Sequence, residues 1–313
     1  MTADMAAINR HTRRQRSLIT RFQAIAAGLT DAQITGLLRR GIWFEIRPNV
    51  YAIAGAPQSW EQMVLAVLVS AGTGSYASHR TGAHMWRVRR VEQPEAIEVV
   101  TDLAHRVTLN GVEGHRSGEL FDADLTTRLG IPCMSAPRSL IDIAGSFRHD
   151  DLGRALDDLL RRKLCTLDEV RRCVGRLHAG PGRPLKGMHQ VLGDRWPGYD
   201  PGESDLETRA VRAIAKAGLP LPAQQHRMRL GGKPVRIDLA YPELKIAIEV
   251  DSWEYHGQIR SQFDCDHIRR DELVLLQWTP FTFTSAMSNE YLATSTRTLL
   301  EHAMARIGDS SAA

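Results

Sequence analysis

Between Val235 and His256 the chain reads VRIDLAYPELKIAIEVDSWEYH, which sets three carboxylates, Asp238, Glu249 and Asp251, along two short apolar runs. Acidic groups at the ends of buried strands carry a large desolvation cost unless something compensates them. A divalent cation is the compensation that also does chemistry, because Mg²⁺ takes one or two protein carboxylates and completes its shell with phosphate oxygens and water. Asp238 and Glu249 are the expected ligands, for Mg²⁺ with Mn²⁺ as the alternative. Such an ion polarises a phosphate and lowers the pKa of an attacking water. Asp251 or His256 would take or orient the proton of that water, a task that suits an imidazole of pKa near ~6.5. Glu207 would reach the metal through water, and Arg270 would neutralise phosphate charge. The chemistry this set can do is hydrolysis of a phosphodiester.

These side chains need strands and a helix to hold them. Val235, Ile237 and Leu239 alternate with Arg236, Asp238 and Ala240, the period-2 pattern of a strand. Pro242 cannot extend it, so Tyr241-Pro242-Glu243 is expected to turn. From Lys245 to Asp251 a second strand is expected, with Ile246, Ile248 and Val250 on one face and Ala247, Glu249 and Asp251 on the other. Glu207 falls on an amphipathic helix with Leu206, Val211, Ile214 and Ala215.

Taken together, Glu207, Asp238, Glu249-Val-Asp251 and His256 resemble the PD-(D/E)xK nuclease superfamily, in particular small endonucleases similar to the very-short-patch mismatch-repair enzyme. The resemblance runs from Gly202 to about Ile307 and includes Arg270-Asp271 opening a helix. It implies a C-terminal α/β restriction-endonuclease-like domain over residues 202–308. Most members carry Lys two residues after the Glu, where this chain has Asp251, and His256 would take part of that lysine's role. The related branch usually reads Gly at Ser252 and Gly-Trp at Gln277-Trp278, and a basic residue expected on the last strand is Thr282.

Residues 17 to 54 read as a compact unit of helices followed by a hairpin. Leu18, Ile19, Phe22 and Ala26 fit a first helix ending near Gly28. Thr30 or Asp31 would cap a second, from Ala32 to Gly41, with Ile34, Leu37 and Leu38 at helical spacing. Ile42 to Ile46 and Val50 to Ile53 then flank a turn at Arg47-Pro48-Asn49. The order suggests a winged helix-turn-helix over residues 1–56. The segment resembles the N-terminal domain of AbiEi-family antitoxins, whose pattern includes "LLRRGxWxxxxxxVY". That resemblance implies DNA contacts from Gln33, Arg39, Arg40 and Arg47, and it raises a cognate toxin as a partner. Arg10, Arg13, Arg14, Arg16 and Arg21 would add backbone electrostatics, which strengthen binding without reading sequence.

Residues 57–195 are expected to form an α+β region. Glu61 to Ala71 is a strongly apolar helix, and Glu95 to Thr101 and Val107 to His115 are expected strands. Asp151 to Leu164 and Leu167 to Leu177 are helical stretches. "SHRTGA" at Ser78 and "SAPRSLIDIA" at Ser135 resemble segments of AbiEi-type proteins. His79 and His84, spaced His-x4-His with no third ligand nearby, are expected to be structural histidines. Arg138 and Asp142 stand four apart, the spacing of a helix ion pair. Gly/Pro-rich stretches at His178 to Pro184 and Trp196 to Gly202 read as loop and linker.

The chain has 313 residues, 43% hydrophobic and 24% charged, which suits more than one globular domain. The formal charge is +4, and only Lys163, Lys186, Lys216, Lys233 and Lys245 among the 40 basic residues are lysine. Arginine's planar fork suits phosphate. Cys133, Cys165, Cys173 and Cys265 form no CxxC pair, so neither a zinc site nor a disulfide framework is indicated. No apolar run approaches the ~18 residues of a membrane span, and the N-terminus lacks a secretory pattern. A cytoplasmic, multi-domain α+β protein is expected, one that binds DNA and cleaves it with Mg²⁺. The alternatives are an antitoxin-like regulator with a degenerate nuclease fold, and a tail that serves protein contact.

Overall fold

The structure, a computed structural model, describes residues 4–180, 183–196, 199–251 and 260–311. It is a mixed α+β chain in two compact units, Met1–Gly193 and Asp194–Ala313.

The first unit begins with helix α1 (Met5–Arg14), strand β1 (Leu18–Thr20), helices α2 (Arg21–Ala26) and α3 (Asp31–Arg39), and strands β2 (Trp43–Arg47) and β3 (Val50–Ile53). The single helix expected from Leu18 is therefore divided. Leu18, Ile19 and Thr20 pair antiparallel with Ala52, Tyr51 and Val50, giving a sheet of order β1-β3-β2. The Thr20 side chain then opens α2 through a capping box with Gln23. The arginine-rich segment before it is helical, capped by Asp4 and anchored by buried Ile8 and Thr12. Thr30 caps α3 through a second box with Gln33. Ile8, Ile19, Ala24, Ile34, Trp43 and Tyr51 make one small core, with Trp43 stacked on Tyr51.

The unit continues through α4 (Trp60–Ala71), β4 (Tyr76–Ala77), α5 (His79–Met85), β5 (Ile97–Thr101), β6 (Val112–Arg116), β7 (Leu125–Arg128), β8 (Ile131–Met134), α6 (Ala136–Asp142), α7 (His149–Arg161), α8 (Leu167–Arg176) and α9 (Lys186–Gly193). Five strands line up as β6-β5-β4-β8-β7. Strand β6 begins at Val112, later than the expected Val107, and Val107 instead packs onto the core from the loop before it. The apolar helix α4 shares a core with Leu18, Val50 and Ala52 and with the sheet residues Ala77, Val99, Ile131 and Cys133.

The second unit consists of α10 (Asp205–Lys216), β9 (Ala223–Leu230), β10 (Lys233–Tyr241), β11 (Ile246–Asp251), α11 (Arg260–Leu275), β12 (Thr279–Thr284) and α12 (Asn289–Ser311). Its sheet has the order β12-β11-β10-β9. Strands β9, β10 and β11 run antiparallel, and β12 lies parallel to β11 after the α11 crossover that parallel pairing demands. The turn after Tyr241 is closed by Lys245 at φ 52°. Leu206, Ala210, Val211 and Ile214 of α10 pack with Leu239, Ile246, Ile248, Phe283 and Leu292.

The alternation expected along β10 breaks at Asp238. Leu239 joins the core just named, whereas Ile237 packs with Leu230, Ala240, Ala247 and Leu273. The β9 pairing skips this point, between Ile237↔His226 and Leu239↔Gln224, where Gln225 adopts φ 52°. Local loss of the ladder lets a strand exchange faces.

Candidate functional site

Asp238 sits at this irregularity, and its carboxylate accepts a hydrogen bond of 2.9 Å from the Val250 N–H. Register pairing of β10 with β11 runs from Tyr241↔Ile246 to Leu239↔Ile248, so the carboxylate replaces a backbone acceptor where the ladder ends. Glu249, on the adjacent strand, is half-buried and meets the Arg269 guanidinium at 2.7 Å. Arg269 also donates to the Arg236 carbonyl, so it ties β10 to β11 from α11. Glu207 is held by the first turn of α10, where Ser204 caps the helix. Its carboxylate accepts from Glu203 N–H at 3.1 Å and from the Gln225 amide at 2.6 Å. Burial pushes the Glu207 carboxyl up from its ordinary value, and the charge of Asp238 pushes it the same way against the hydrogen bond from Glu203. Two carboxylates 31 positions apart in sequence thus feel each other across α10 and β10. Asp251 ends β11 exposed, and Arg270 is exposed on α11. His256 lies outside the described residues.

The residues expected to contact DNA are distributed over the N-terminal elements. Arg39 and Arg40 end α3 exposed, with Arg40 Nε donating back to the Gly36 carbonyl at 3.1 Å. Gln33 is exposed, but its side-chain oxygen is engaged by Thr30 N–H at 2.8 Å in the capping box. Arg47 donates to the Asn110 carbonyl at 2.9 Å, and burial lowers its pKa. Arg16 is likewise committed to the Leu129 carbonyl at 2.7 Å, and Arg21 to Asp31 at 2.6 Å.

A third constellation was not legible from spacing. His79 opens α5, Glu98 lies on β5 and His115 on β6, and one donor atom from each falls within 4.8 Å of the others. Among the described residues this is the one group of three or more His, Cys, Asp or Glu so placed. His115 Nε2 lies 3.0 Å from the Glu98 carboxylate, which is buried. The His79 and His115 rings stack with centroids 3.7 Å apart. Burial pushes His79 down to about 4, so it is a neutral imidazole at neutral pH. His84 takes no part: its ring lies edge-on to Trp60 and its Nδ1 is 3.2 Å from the Val91 carbonyl. The two residues that complete the group stand 19 and 36 positions after His79, so only sheet pairing reveals them.

Beneath this group, the expected Arg138–Asp142 pair is part of a buried network. Arg138 Nε reaches both Asp142 oxygens at 2.9 and 3.0 Å, and its Nη1 donates to the Glu119 carbonyl at 2.7 Å and to Asp124 at 3.3 Å. Arg183 bridges Asp142, at 3.0 Å, and Glu119. Arg176 and the Cys173 thiol complete the shell of Asp124. Arg138 is 1% exposed, so each partner offsets a desolvation cost that an unpaired guanidinium could not bear. Cys133, Cys165 and Cys173 are buried free thiols, which burial pushes up to about 12 and so leaves unreactive.

Among the described residues, no helix is long and apolar enough to cross a membrane. No family model matches the chain. The chain is similar to the uncharacterized proteins MT2308 and Rv2248, from two strains of Mycobacterium tuberculosis. Each is 28% identical over 141 residues, which are 44% of this chain and 49% of the relative. The chain therefore aligns with about half the length of these curated relatives. Among solved structures, the crystal structure of RV2827C protein from Mycobacterium tuberculosis matches with a TM-score of 0.41 and 15% identity. That match covers 71% of this chain and 86% of the other.

Proposed function

We propose that the protein binds DNA and that its C-terminal unit is a divalent-metal-dependent endonuclease of PD-(D/E)xK type. What supports this is that the charge of Asp238, on β10, helps raise the pKa of Glu207, on α10, and that Asp238 accepts from Val250 N–H beside Glu249 on the neighbouring strand. Carboxylate oxygens are a donor set that suits Mg²⁺ or Mn²⁺. Asp238 and Glu249 would hold the ion, Asp238 with one oxygen engaged by Val250 N–H and Glu249 in exchange for its ion pair with Arg269. The bound ion would supply a polarised phosphate and a more acidic water. Glu207, whose raised pKa disfavours its charge, would position that water. Arg269, together with the exposed Arg270, would place positive charge against the strand being cut. Arg39 and Arg40 would hold the DNA backbone from the first unit.

The test is nicking of supercoiled plasmid in the presence of Mg²⁺. Wild type is expected to cut, and Asp238→Ala and Glu249→Ala are each expected to lose cutting while keeping DNA affinity. A second reading is an antitoxin-like regulator that retains the fold without cleavage. It is favoured by the Arg269–Glu249 ion pair and by Asp251 standing where a lysine would serve catalysis. Absence of metal-dependent cutting together with retained DNA binding selects that reading.

A further inference from the structure

We propose that His79, Glu98 and His115 form a binding site for a zinc-class divalent transition metal, separate in sequence and in residue chemistry from the carboxylate pair of the C-terminal unit. Three elements converge to build it. β5 and β6 run parallel, with Glu98 opposite Glu113 and Val100 opposite His115. Glu98 and Val100 are two residues apart and share a face, so His115 projects on the same side of the sheet as Glu98. The third ligand comes from α5, which is bound to β5 on both sides of Glu98. The Glu98 N–H donates to Thr81 Oγ1 at 2.8 Å, and the Ser78 N–H donates to the Glu98 carbonyl at 3.1 Å.

The donors are arranged for an ion. Nitrogens and oxygens around a tetrahedral Zn²⁺, at bonds of ~2.0–2.1 Å, stand about 3.3 Å apart. Here one pair is already at 3.0 Å and all three lie within 4.8 Å. To bind through both imidazoles, the His79 and His115 rings must leave their stacked arrangement and turn their in-plane lone pairs toward a common point. Two imidazoles and one carboxylate select zinc, cobalt or nickel over the oxygen-seeking Mg²⁺. His79 Nδ1 lies 3.1 Å from Ser78 Oγ, the kind of outer hydroxyl that orients a ligand imidazole. His79 itself holds φ 46°, a left-handed conformation that L side chains rarely adopt, and such outliers concentrate at functional positions. Glu98 is 7% exposed, and a buried carboxylate beside His115 at 3.0 Å, with His79 close by, calls for a compensating positive charge. The His115 side chain is one-third exposed, which leaves a way in for the ion and a remaining coordination position for water.

The probe is Co²⁺, added to the full-length protein after chelator treatment. We expect one equivalent to give the visible absorption of a four-coordinate N/O site, and Zn²⁺ to bleach it. The Asp238→Ala/Glu249→Ala variant keeps the signal, which separates this site from the proposed nuclease centre. His115→Ala and Glu98→Gln each lose at least about tenfold in affinity with an unchanged circular dichroism spectrum, and His84→Ala loses nothing. Because Glu98→Gln could disturb folding, imidazole nitrogen NMR on wild type provides a second readout, with Zn²⁺ shifting the His79 and His115 signals and no others. Absence of the absorption, its survival in His115→Ala and Glu98→Gln, or unmoved His79 and His115 signals would each overturn the proposal.

Discussion

The guanidinium of Arg269 lies 2.7 Å from the Glu249 carboxylate, taking up the charge that a divalent cation would otherwise balance. The same arginine holds the Arg236 carbonyl, so it is both a counter-ion and a clamp across β10 and β11. If Glu249 is a metal ligand, the arginine and the metal compete for it. Arg269→Gln is therefore expected to raise Mn²⁺ affinity several-fold, read by calorimetry, while lowering thermal stability. A variant with unchanged Mn²⁺ affinity would show that Glu249 does not hold the ion and serves Arg269 structurally.

On the N-terminal unit, the arginines expected to touch DNA separate into an exposed pair at the end of α3 and others committed to distant partners. Arg39→Ala and Arg40→Ala should weaken DNA binding across all sequences, and each should reduce the slope of log affinity against log salt by about one. Gln33→Ala should instead cost ~0.5–1.5 kcal/mol of stability through loss of the hydrogen bond its side chain accepts from Thr30 N–H. Fluorescence anisotropy at several salt concentrations, alongside urea melts, distinguishes the two effects.

Glu119 provides a pH dependence with a definite sign. Burial alone would raise its pKa, but hydrogen bonds from the His178 side chain and backbone and from Arg183 outweigh burial and bring it down to about 2. A carboxyl depressed on folding contributes stability above its unfolded value of about 4.5, and that contribution disappears as pH falls toward about 2. Wild type should therefore lose more stability than Glu119→Gln between these limits. Equal slopes in denaturant melts across that window would refute it.

Gly82 is packed too closely for any side chain. A Cβ there would sit 2.8 Å from Ser139 Oγ and 3.3 Å from the Ala77 carbonyl. Gly82→Ala is expected to destabilise the first unit by ~1–3 kcal/mol, and pairing it with Ser139→Ala should recover part of the loss. Melts of the two single variants and the double would establish the coupling.

The buried Arg138 should be intolerant even of lysine, since its fork reaches Asp142, Glu119 and Asp124 at once. Arg138→Leu removes a buried cation from the Asp142 and Asp124 carboxylates and a donor from the Glu119 carbonyl, and is expected to cost ~3–5 kcal/mol. A loss under about 1 kcal/mol, in the range of an exposed ion pair, would contradict the network as drawn.

Local patterns were legible wherever nearby residues decide the outcome. The β10–β11 hairpin follows from alternation and Pro242, α3 from Thr30 and the helical spacing of Ile34, Leu37 and Leu38, and the Arg138–Asp142 pair from its four-residue spacing. Leu18 and Ile19 misled, because a short apolar run suits a helix or a strand equally. Their pairing with Ala52 and Tyr51, more than 30 positions away, settled it. The same limit applies to chemistry. Spacing gave His79 and His84 only as structural histidines, whereas parallel strand pairing set His79 near Glu98 and His115. Spacing likewise offered Arg270 as the functional cation of α11, yet the helix places its neighbour Arg269 on Glu249. Residue types and local periods determine which elements form and which side chains are capable of chemistry. Which of those side chains meet depends on contacts between distant segments, and these exist only once burial and strand pairing have offset the entropy of closing the loops between them.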